Sequence, residues 1–533
     1  MPSSISARPS APAFSSFGWS IAGIIAVALS MPPVGFYPLA WIGLVPILVR
    51  WATRPLDLAY VRELYALFLV AACTIGFWLL IHHDAKTALA GGVGLFLLPL
   101  PWVVAFSASA WVRRQFGLEA GLAFLLAGLV AMEYVVLHAR GGMPWMVLGH
   151  SQATALPFLR IAALGGVPLL TLWVGILNVL AFLALPRPGQ TNAARSGGVF
   201  VASLAVMIAL PPLYGQAMPS RTDSASGYST VHVIQPGLSG SAWEQSSTVE
   251  RVDYLAELSA HSLRADAGRR HGTVVWPATS IRNLGGEASS ALVAKLRTWA
   301  RRSGVTVVSG ATVRGQSSSS NAALLVEPGR PTLQYSQMRV VPVVDRAVVD
   351  GDAIRKGTQQ LLFPTNGVQL APVLGFEWMF GDHVRRGVAA GADALVVFPH
   401  IDRWGNSPGL SQALSLLRLR AVETNRAIVV SAVSGGSALI RPSGEIEELG
   451  PWMDQALVTL QVPIHRDLTP YAMHGDWLGV VALFAFGILG VLAVVLDRLF
   501  PGRFRTDGAR RKRRAARETS SVDRPAFRRG VPA

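Results

Sequence analysis

Apolar residues dominate the first part of the chain, in runs long enough to cross a membrane. From Phe17 to Val49 no charged residue appears, and the turn-forming string MPPVGFYP divides this stretch into two helices. Five more runs follow before residue 215, and one comes near the end. The pattern predicts eight transmembrane helices, the last six over Leu64–Ile81, Leu89–Val112, Leu118–Leu137, Leu164–Leu185, Val199–Tyr214 and Trp477–Leu499.

Residues 215–475 have a different pattern, in which short β-type runs alternate with amphipathic helical stretches. That alternation is typical of an α/β domain, and the segment is long enough for one complete core. Strand candidates begin at Ser229, Gly272, Gly304, Ala322, Leu370, Ala392 and Arg426, and helix candidates are Val249–Asp266, Ser289–Arg302 and Pro408–Thr424. The predicted division is a terminal segment 1–16, a seven-helix membrane domain 17–214, the α/β domain 215–475, a last helix 477–499 and a tail 500–533.

Arginines flanking the apolar runs predict the orientation, because Lys and Arg resist translocation and collect on the cytoplasmic side. Basic loops follow the second, fourth and sixth runs, at Arg50, Arg54, Arg62, Arg113, Arg114, Arg187 and Arg195. Both termini are therefore expected in the cytoplasm and residues 215–475 outside it. The segment before Phe17 has no convincing cleavage site, so the first helix is expected to stay uncleaved.

Composition supports a membrane protein and adds a basic tail. Apolar residues make up 51% of the chain, and half of the net charge of +16 lies in residues 500–533, with eleven Arg or Lys against three Asp or Glu. The string ARRKRR in this tail fits either a nucleic-acid-binding arm or a juxtamembrane anchor on anionic lipid. The anchor is favoured because the tail directly follows an apolar run, so no nucleic-acid partner is expected.

Three strings resemble the catalytic motifs of the apolipoprotein N-acyltransferases, membrane members of the carbon-nitrogen hydrolase (nitrilase) superfamily. They are WPATS at Trp276–Ser280, YSQMRVVP at Tyr335–Pro342 and PVLGFE at Pro372–Glu377. The strings VHVIQPGLSGSAW and GGMPWMVLGHSQ are similar to two other family segments. The resemblance covers roughly residues 17–499.

The resemblance implies a polytopic helical membrane domain joined to an extracytoplasmic nitrilase-like αββα sandwich in a bacterial inner membrane. Such enzymes move a fatty acyl chain from a phospholipid to the N-terminal diacylglyceryl-cysteine of a lipoprotein, without a cofactor. Their chemistry uses a Cys thiolate as nucleophile, a Glu to move the proton and a Lys beside the oxyanion. Here the three positions hold Ala278, Gln337 and Gly375.

A thioester route is excluded at this site because Gly375 has no side chain and the only cysteine, Cys73, lies in the third apolar run. Cys73 is expected to be a buried small residue, and one cysteine allows no disulfide or thiolate metal site within the chain. By resemblance, Trp243, Asp345, Phe376 and Glu377 are possible pocket residues, although Asp345 and Glu377 fit retained packing of the same fold equally well. Ser280 is a possible stand-in beside the pocket. Other stand-ins to consider are Thr279, Lys295, Lys356, His383 and His400.

These substitutions predict a pseudoenzyme that keeps the fold and binding of phospholipid or a lipoprotein N-terminus. One alternative is an active N-acyltransferase with a non-standard site, for example a Ser280 or Thr279 ester. A second is a membrane scaffold that uses its basic tail, and a membrane-tethered amidase is weaker because it needs the same triad. An apolar loop at Met143, Pro144, Trp145 and Met146 is expected to handle acyl chains or to anchor in the lipid interface.

Overall fold

The structure is a computed structural model of the full chain. It describes residues 17–81, 85–139, 144–186, 193–217, 225–265, 272–285, 287–341, 345, 354–401, 404–405 and 407–501. The predicted N-terminal segment 1–16, nearly all of the basic tail, and Met143 and Pro342 lie outside the described residues.

Six helices in the described part of the chain are long and apolar enough to cross a membrane, and each corresponds to one of the last six predicted spans. The first two predicted spans occur as shorter apolar helices, Phe17–Ser30 and Tyr37–Thr53. The second begins with a 3-10 turn because Pro38 and Pro46 interrupt regular hydrogen bonding. The helices are α1 (Phe17–Ser30), α2 (Val45–Thr53), α3 (Leu58–Gly76), α4 (Ala85–Leu97), α5 (Leu100–Phe116), α6 (Leu118–His138), α7 (Leu156–Leu159), α8 (Ala162–Ala184) and α9 (Ala193–Ala217).

Buried polar side chains hold the irregular backbone of the membrane part in place. Asn178 on α8 donates to the carbonyl of Ala40 at 2.7 Å and accepts from the N–H of Leu44 at 2.9 Å. Glu133 on α6 accepts from the N–H of Leu148 at 2.7 Å and from the hydroxyl of Thr171. Such contacts are needed because no water is available inside a bilayer to satisfy free backbone groups.

The remaining residues form an α/β domain of two six-stranded sheets, which confirms the predicted fold class for this segment. Each sheet has three adjacent parallel strands flanked by antiparallel ones, in the orders β12-β1-β2-β3-β4-β5 and β11-β10-β9-β8-β7-β6. The strands are β1 (Gly227–Gln235), β2 (Thr273–Leu284), β3 (Thr306–Arg314), β4 (Ser319–Val326), β5 (Leu333–Ser336), β6 (Phe363–Thr365), β7 (Val368–Leu374), β8 (Ala394–Phe398), β9 (Ala427–Val430), β10 (Ala438–Ile440), β11 (Ile446–Leu449) and β12 (Ala456–Ile464).

All seven predicted strand positions coincide with strands, and the three predicted helices coincide with α11, α12 and α14. Five strands were missed, most of them three or four residues long and therefore too short to show a period. The helices of this part are α10 (Gly240–Gln245), α11 (Thr248–Ala265), α12 (Glu287–Ser303), α13 (Gly381–Ala389), α14 (Pro408–Thr424), α15 (Pro470–His474) and α16 (Trp477–Leu499), which returns to the membrane part.

Three apolar layers determine where a site can lie. One core fills the space between the two sheets, and a second lies between the first sheet and helices α11 and α12. The third is continuous: it joins the outer face of the second sheet, with α13 and α14, to the membrane helices. The α/β domain is therefore not tethered by a linker alone but shares a hydrophobic core with the membrane part.

Polar contacts fix this shared layer at several points. Glu423 on α14 accepts from the N–H of Val167 at 3.0 Å, where α8 is broken at Gly166, and pairs with Arg420 at 3.1 Å. Gln412 on the same helix donates to two carbonyls of the membrane part. A carboxylate at the start of a helical segment satisfies an otherwise unpaired N–H and favours the helix dipole.

Candidate functional site

The three motif positions lie where strands end or lose their regular pairing. Ala278 lies in β2 at a shift of register against β3, and the next residue, Thr279, has a left-handed backbone with φ of 56°. Gly375 directly follows β7, and Gln337 directly follows the edge strand β5. Bulges and the carboxyl ends of parallel strands commonly carry functional side chains.

Gly375 has a backbone conformation that favours glycine, and two side chains lie close to its Cα. Its φ of 54° is in the left-handed region, which costs other residues about 1–2 kcal/mol. A Cβ atom at this position would lie 2.7 Å from Oδ1 of Asp345 and 3.0 Å from Nε2 of Gln337. The side chains of Asp345 and Gln337 therefore occupy the space into which a nucleophile at residue 375 would extend.

Gln337 is fully buried and uses its amide completely. Its Nε2 donates to Oδ2 of Asp345 at 3.0 Å and to the carbonyl of Arg339 at 2.9 Å. Its Oε1 accepts from Asn321 at 3.0 Å, and Asn321 in turn contacts Nε2 of His400 at 3.1 Å. A neutral amide thus links two loops and a strand.

Ala278 is an apolar packing residue. Its side chain is 2% exposed and belongs to the core between the sheets, together with Tyr335 and Leu374. Gly310 on β3 lies against it so closely that a Cβ there would come within 2.6 Å of the Cα of Ala278. No carboxylate is therefore offered at this position of β2.

Glu377 is held by the backbone that surrounds it. Its carboxylate accepts from the N–H groups of Met338, Arg339 and Leu374 at 2.6, 3.0 and 2.9 Å, and from the hydroxyl of Tyr335 at 3.0 Å. Burial acts to raise the pKa of Glu377, but the charge of His383 at 3.3 Å and these donors outweigh it and lower the pKa. With these four donors and His383, the Glu377 carboxylate holds the loop after β5 in place.

Sequence comparisons connect most of this chain to one group of relatives. Residues 22–180 match the family model described as the apolipoprotein N-acyltransferase N-terminal domain. Apolipoprotein N-acyltransferase of Chlorobaculum tepidum is 25% identical over 88% of this chain and 94% of its own length, and that of Gloeobacter violaceus is 27% identical over 89% and 94%. The chain is therefore similar to the apolipoprotein N-acyltransferases along most of its length.

Solved structures in the nitrilase superfamily are similar to part of this chain. An amidase of Nesterenkonia is 16% identical and aligns with 47% of this chain and 93% of its own, with a TM-score of 0.36. Nit3 of Saccharomyces cerevisiae aligns with 45% of this chain at 13% identity and a TM-score of 0.37.

The residues considered as stand-ins for the triad are engaged in other contacts. The Ser280 hydroxyl donates to the carbonyl of Pro277 at 2.8 Å, and the Thr279 hydroxyl accepts from the Trp243 indole at 3.0 Å. Lys356 is exposed, and Lys295 forms an exposed ion pair with Asp253. None of these contacts provides a hydroxyl nucleophile with a general base.

Two expectations from the sequence need correction. Cys73 is exposed on the outer surface of α3 rather than buried, because it lies on the face that α3 turns away from the other helices. Trp145 and Met146 are buried at 5% and 4% exposure, so this part of their loop packs inside the protein and not in lipid. Trp243 stacks on Arg251 at 4.7 Å in the outer core of the first sheet, and its indole contacts Thr279, next to Ala278.

An aromatic cluster that sequence reasoning missed connects the site to the membrane part. Phe376, beside Gly375, lies 5.5 Å from Trp404, which lies 4.7 Å from Trp78 at the end of α3. Trp145 packs edge-on against Trp78 at 5.3 Å and contacts Trp378. These aromatic residues come from four distant parts of the chain, so no local pattern could have placed them together.

We expect Gly375→Ala to destabilise the protein more than Gly367→Ala. Both glycines have a positive φ, but a Cβ at Gly367 meets nothing within 4 Å. Gly367→Ala should cost about 1–2 kcal/mol from backbone strain, and Gly375→Ala a further ~1–3 kcal/mol from overpacking against Asp345. Thermal unfolding of the full chain in detergent measures both, and equal losses would show that the space beside Gly375 is open.

The raised pKa of Asp345 predicts how the stability of the protein depends on pH. Burial raises the pKa of Asp345 to about 7, although the Val341 N–H and the Gln337 amide act to lower it, and its Oδ1 has no hydrogen-bond partner among the described residues. The folded state therefore keeps this proton up to about pH 7, whereas the unfolded state loses it near its ordinary value of 3.8. Stability should fall as pH rises between these values and then level off.

We expect Asp345→Asn to remove this slope, because an amide does not titrate. Melting temperatures of wild type and variant should diverge between about pH 4 and pH 7, with the variant relatively more stable at the upper end. A constant difference between the two proteins across this range would mean that Asp345 is ionised in the folded state.

Proposed function

We propose that this chain is an apolipoprotein N-acyltransferase homologue that has lost acyl transfer and retains binding. Its ligands would be those of its relatives' reaction, a phospholipid and the N-terminus of a lipoprotein. The membrane helices and the hydrolase-like domain share one hydrophobic core, so a ligand that lies in the membrane surface can contact both parts. The proposed difference between this chain and its relatives lies in catalysis and not in the fold.

The observation that carries this proposal is the packing at residue 375. Acyl transfer through a thioester needs a thiolate there, a carboxylate near residue 278 and a cation near residue 337. The chain has glycine, alanine and glutamine, and the Gln337 and Asp345 side chains fill the space beside Gly375. Because these members of a catalytic unit act together, the absence of all three is expected to lower the rate by several orders of magnitude.

An active enzyme with a non-standard site is the second candidate, and it depends on Ser280 or Thr279. Ser280 is fully buried and donates to a main-chain carbonyl, while Thr279 is bonded to Trp243. His383 and His400, the histidines next to the motifs, contact Glu377 and Asn321 instead of either hydroxyl. A serine or threonine without a base is a weak nucleophile, so these contacts favour the inactive form.

We also propose the full topology of eight membrane spans with both termini in the cytoplasm and the hydrolase-like domain on the outer face of a bacterial inner membrane. The basic loops at Arg50–Arg62 and at Arg113–Arg114 support it through the positive-inside bias. A scaffold role of the basic tail is a further candidate, although ARRKRR lies outside the described residues. Reporter fusions after Leu499 and after Ile464 test the topology.

Complementation of a strain depleted of its own lipoprotein N-acyltransferase tests the proposed loss of chemistry. We expect no rescue by the wild type and rescue by Ala278→Glu, Gln337→Lys, Gly375→Cys, because the triple variant restores nucleophile, base and cation. The matched control carries Gly375→Ala with the first two changes, and it should not rescue. Rescue by the wild type would refute the proposal.

The single variant Gly375→Cys should fail in the same assay. Its Cβ would meet Asp345 and Gln337, and no carboxylate or ammonium would activate the thiol. Comparable expression of all variants must be shown by immunoblot, so that absence of rescue reports chemistry and not loss of protein.

A further inference from the structure

An apolar groove lies on the outer surface of the membrane part, between α5, α6 and α16. Its volume is about 470 Å³, and its lining is almost entirely apolar. Its walls are formed by Trp111, Phe124 and Phe486, and the rings of the last two are tilted with centroids 4.6 Å apart. Glycines form its floor on α16: a Cβ at Gly487 would meet nothing within 4 Å.

The groove is far from the candidate site. Helix α16 begins directly after the α/β domain, and the groove uses its second half, from Phe486 to Val495. It also uses the last turns of α5 and the first turns of α6. The groove therefore opens at the end of the membrane part that points away from the domain.

Two arginines lie at this end of the groove. Arg114 lies one turn beyond Trp111 on α5, and Arg498 lies one turn beyond Val494 and Val495 on α16. Both are exposed, and residues three or four apart lie on the same side of a helix. Glu119 and Asp497 lie nearby, but the sequence after Phe500 adds eleven basic residues against three acidic ones.

We propose that this groove binds an acidic phospholipid, with an acyl chain between α5, α6 and α16 and the phosphate near Arg114 and Arg498. The lining lies on helices long and apolar enough to span a bilayer, so hydrocarbon is the matching surface. Basic residues at the end of such a groove select an anionic headgroup. The site is independent of any acyl transfer.

The basic tail is not a matching occupant of the groove, because its charged side chains oppose an apolar lining.

Native mass spectrometry of the purified full chain, titrated with phosphatidylglycerol and with phosphatidylethanolamine, tests this site. We expect wild type to prefer phosphatidylglycerol. Gly487→Leu should weaken phosphatidylglycerol binding about tenfold by filling the groove. Arg498→Gln and Arg114→Gln should each weaken it about fivefold and leave phosphatidylethanolamine binding unchanged.

Matched controls separate the groove from the membrane surface in general. Gly198 on α9 is exposed, a Cβ there also meets nothing within 4 Å, and Gly198→Leu should bind as wild type does. Arg62 on α3 is exposed, and Arg62→Gln should likewise have no effect.

Three outcomes would overturn the proposal. One is equal phosphatidylglycerol binding by Gly487→Leu and Gly198→Leu. Another is equal affinity for the two lipids together with no effect of the arginine variants, which would mean that any acyl chain fills the groove. The third is a chain dimer that Gly487→Leu dissociates, which would make the groove a helix-helix contact.

Discussion

The side-chain amide of Gln337 connects the parts of this site, and its hydrogen bond to Asp345 lies against Gly375, which has no side chain. In a dry core such an amide must have its donors and acceptors satisfied, and Asn321, Asp345 and the Arg339 carbonyl satisfy them. A Cβ at residue 375 would come within 3.0 Å of both partners, so a side chain there requires the Asp345 and Gln337 side chains to shift. Gln337 and Gly375, which belong to separate motifs, are thus compatible with each other in packing.

The hydrogen bonds of Glu377 connect the site to the membrane helices. Glu377 accepts from the N–H of Arg339, and the guanidinium of Arg339 donates to the carbonyls of His138 and Ala139 at the end of α6. The same guanidinium stacks on Phe380 at 4.2 Å. The loop after β5 is therefore bonded both to a membrane helix and to a buried carboxylate.

The sequence predicts most of the architecture because long apolar runs and alternating strands are local signals. Six spans and seven strands follow from them, and the resemblance of the motif strings to a known family placed Gln337 and Gly375 in one site. What could not be predicted depends on contacts between distant residues: the outer-core position of Trp243, the burial of Trp145 and the exposure of Cys73. Short edge strands were missed because three or four residues carry no recognisable period.

The most direct test of the account is acyl transfer by the purified full chain. Phospholipid and a diacylglyceryl-cysteine peptide are supplied in mixed micelles, and mass spectrometry follows the triacylated peptide and any acyl adduct on the protein. The account predicts neither product above a membrane blank, while an active family member run in parallel forms both. Triacylated peptide well above the blank, or an acyl ester on Ser280 or Thr279, would contradict it.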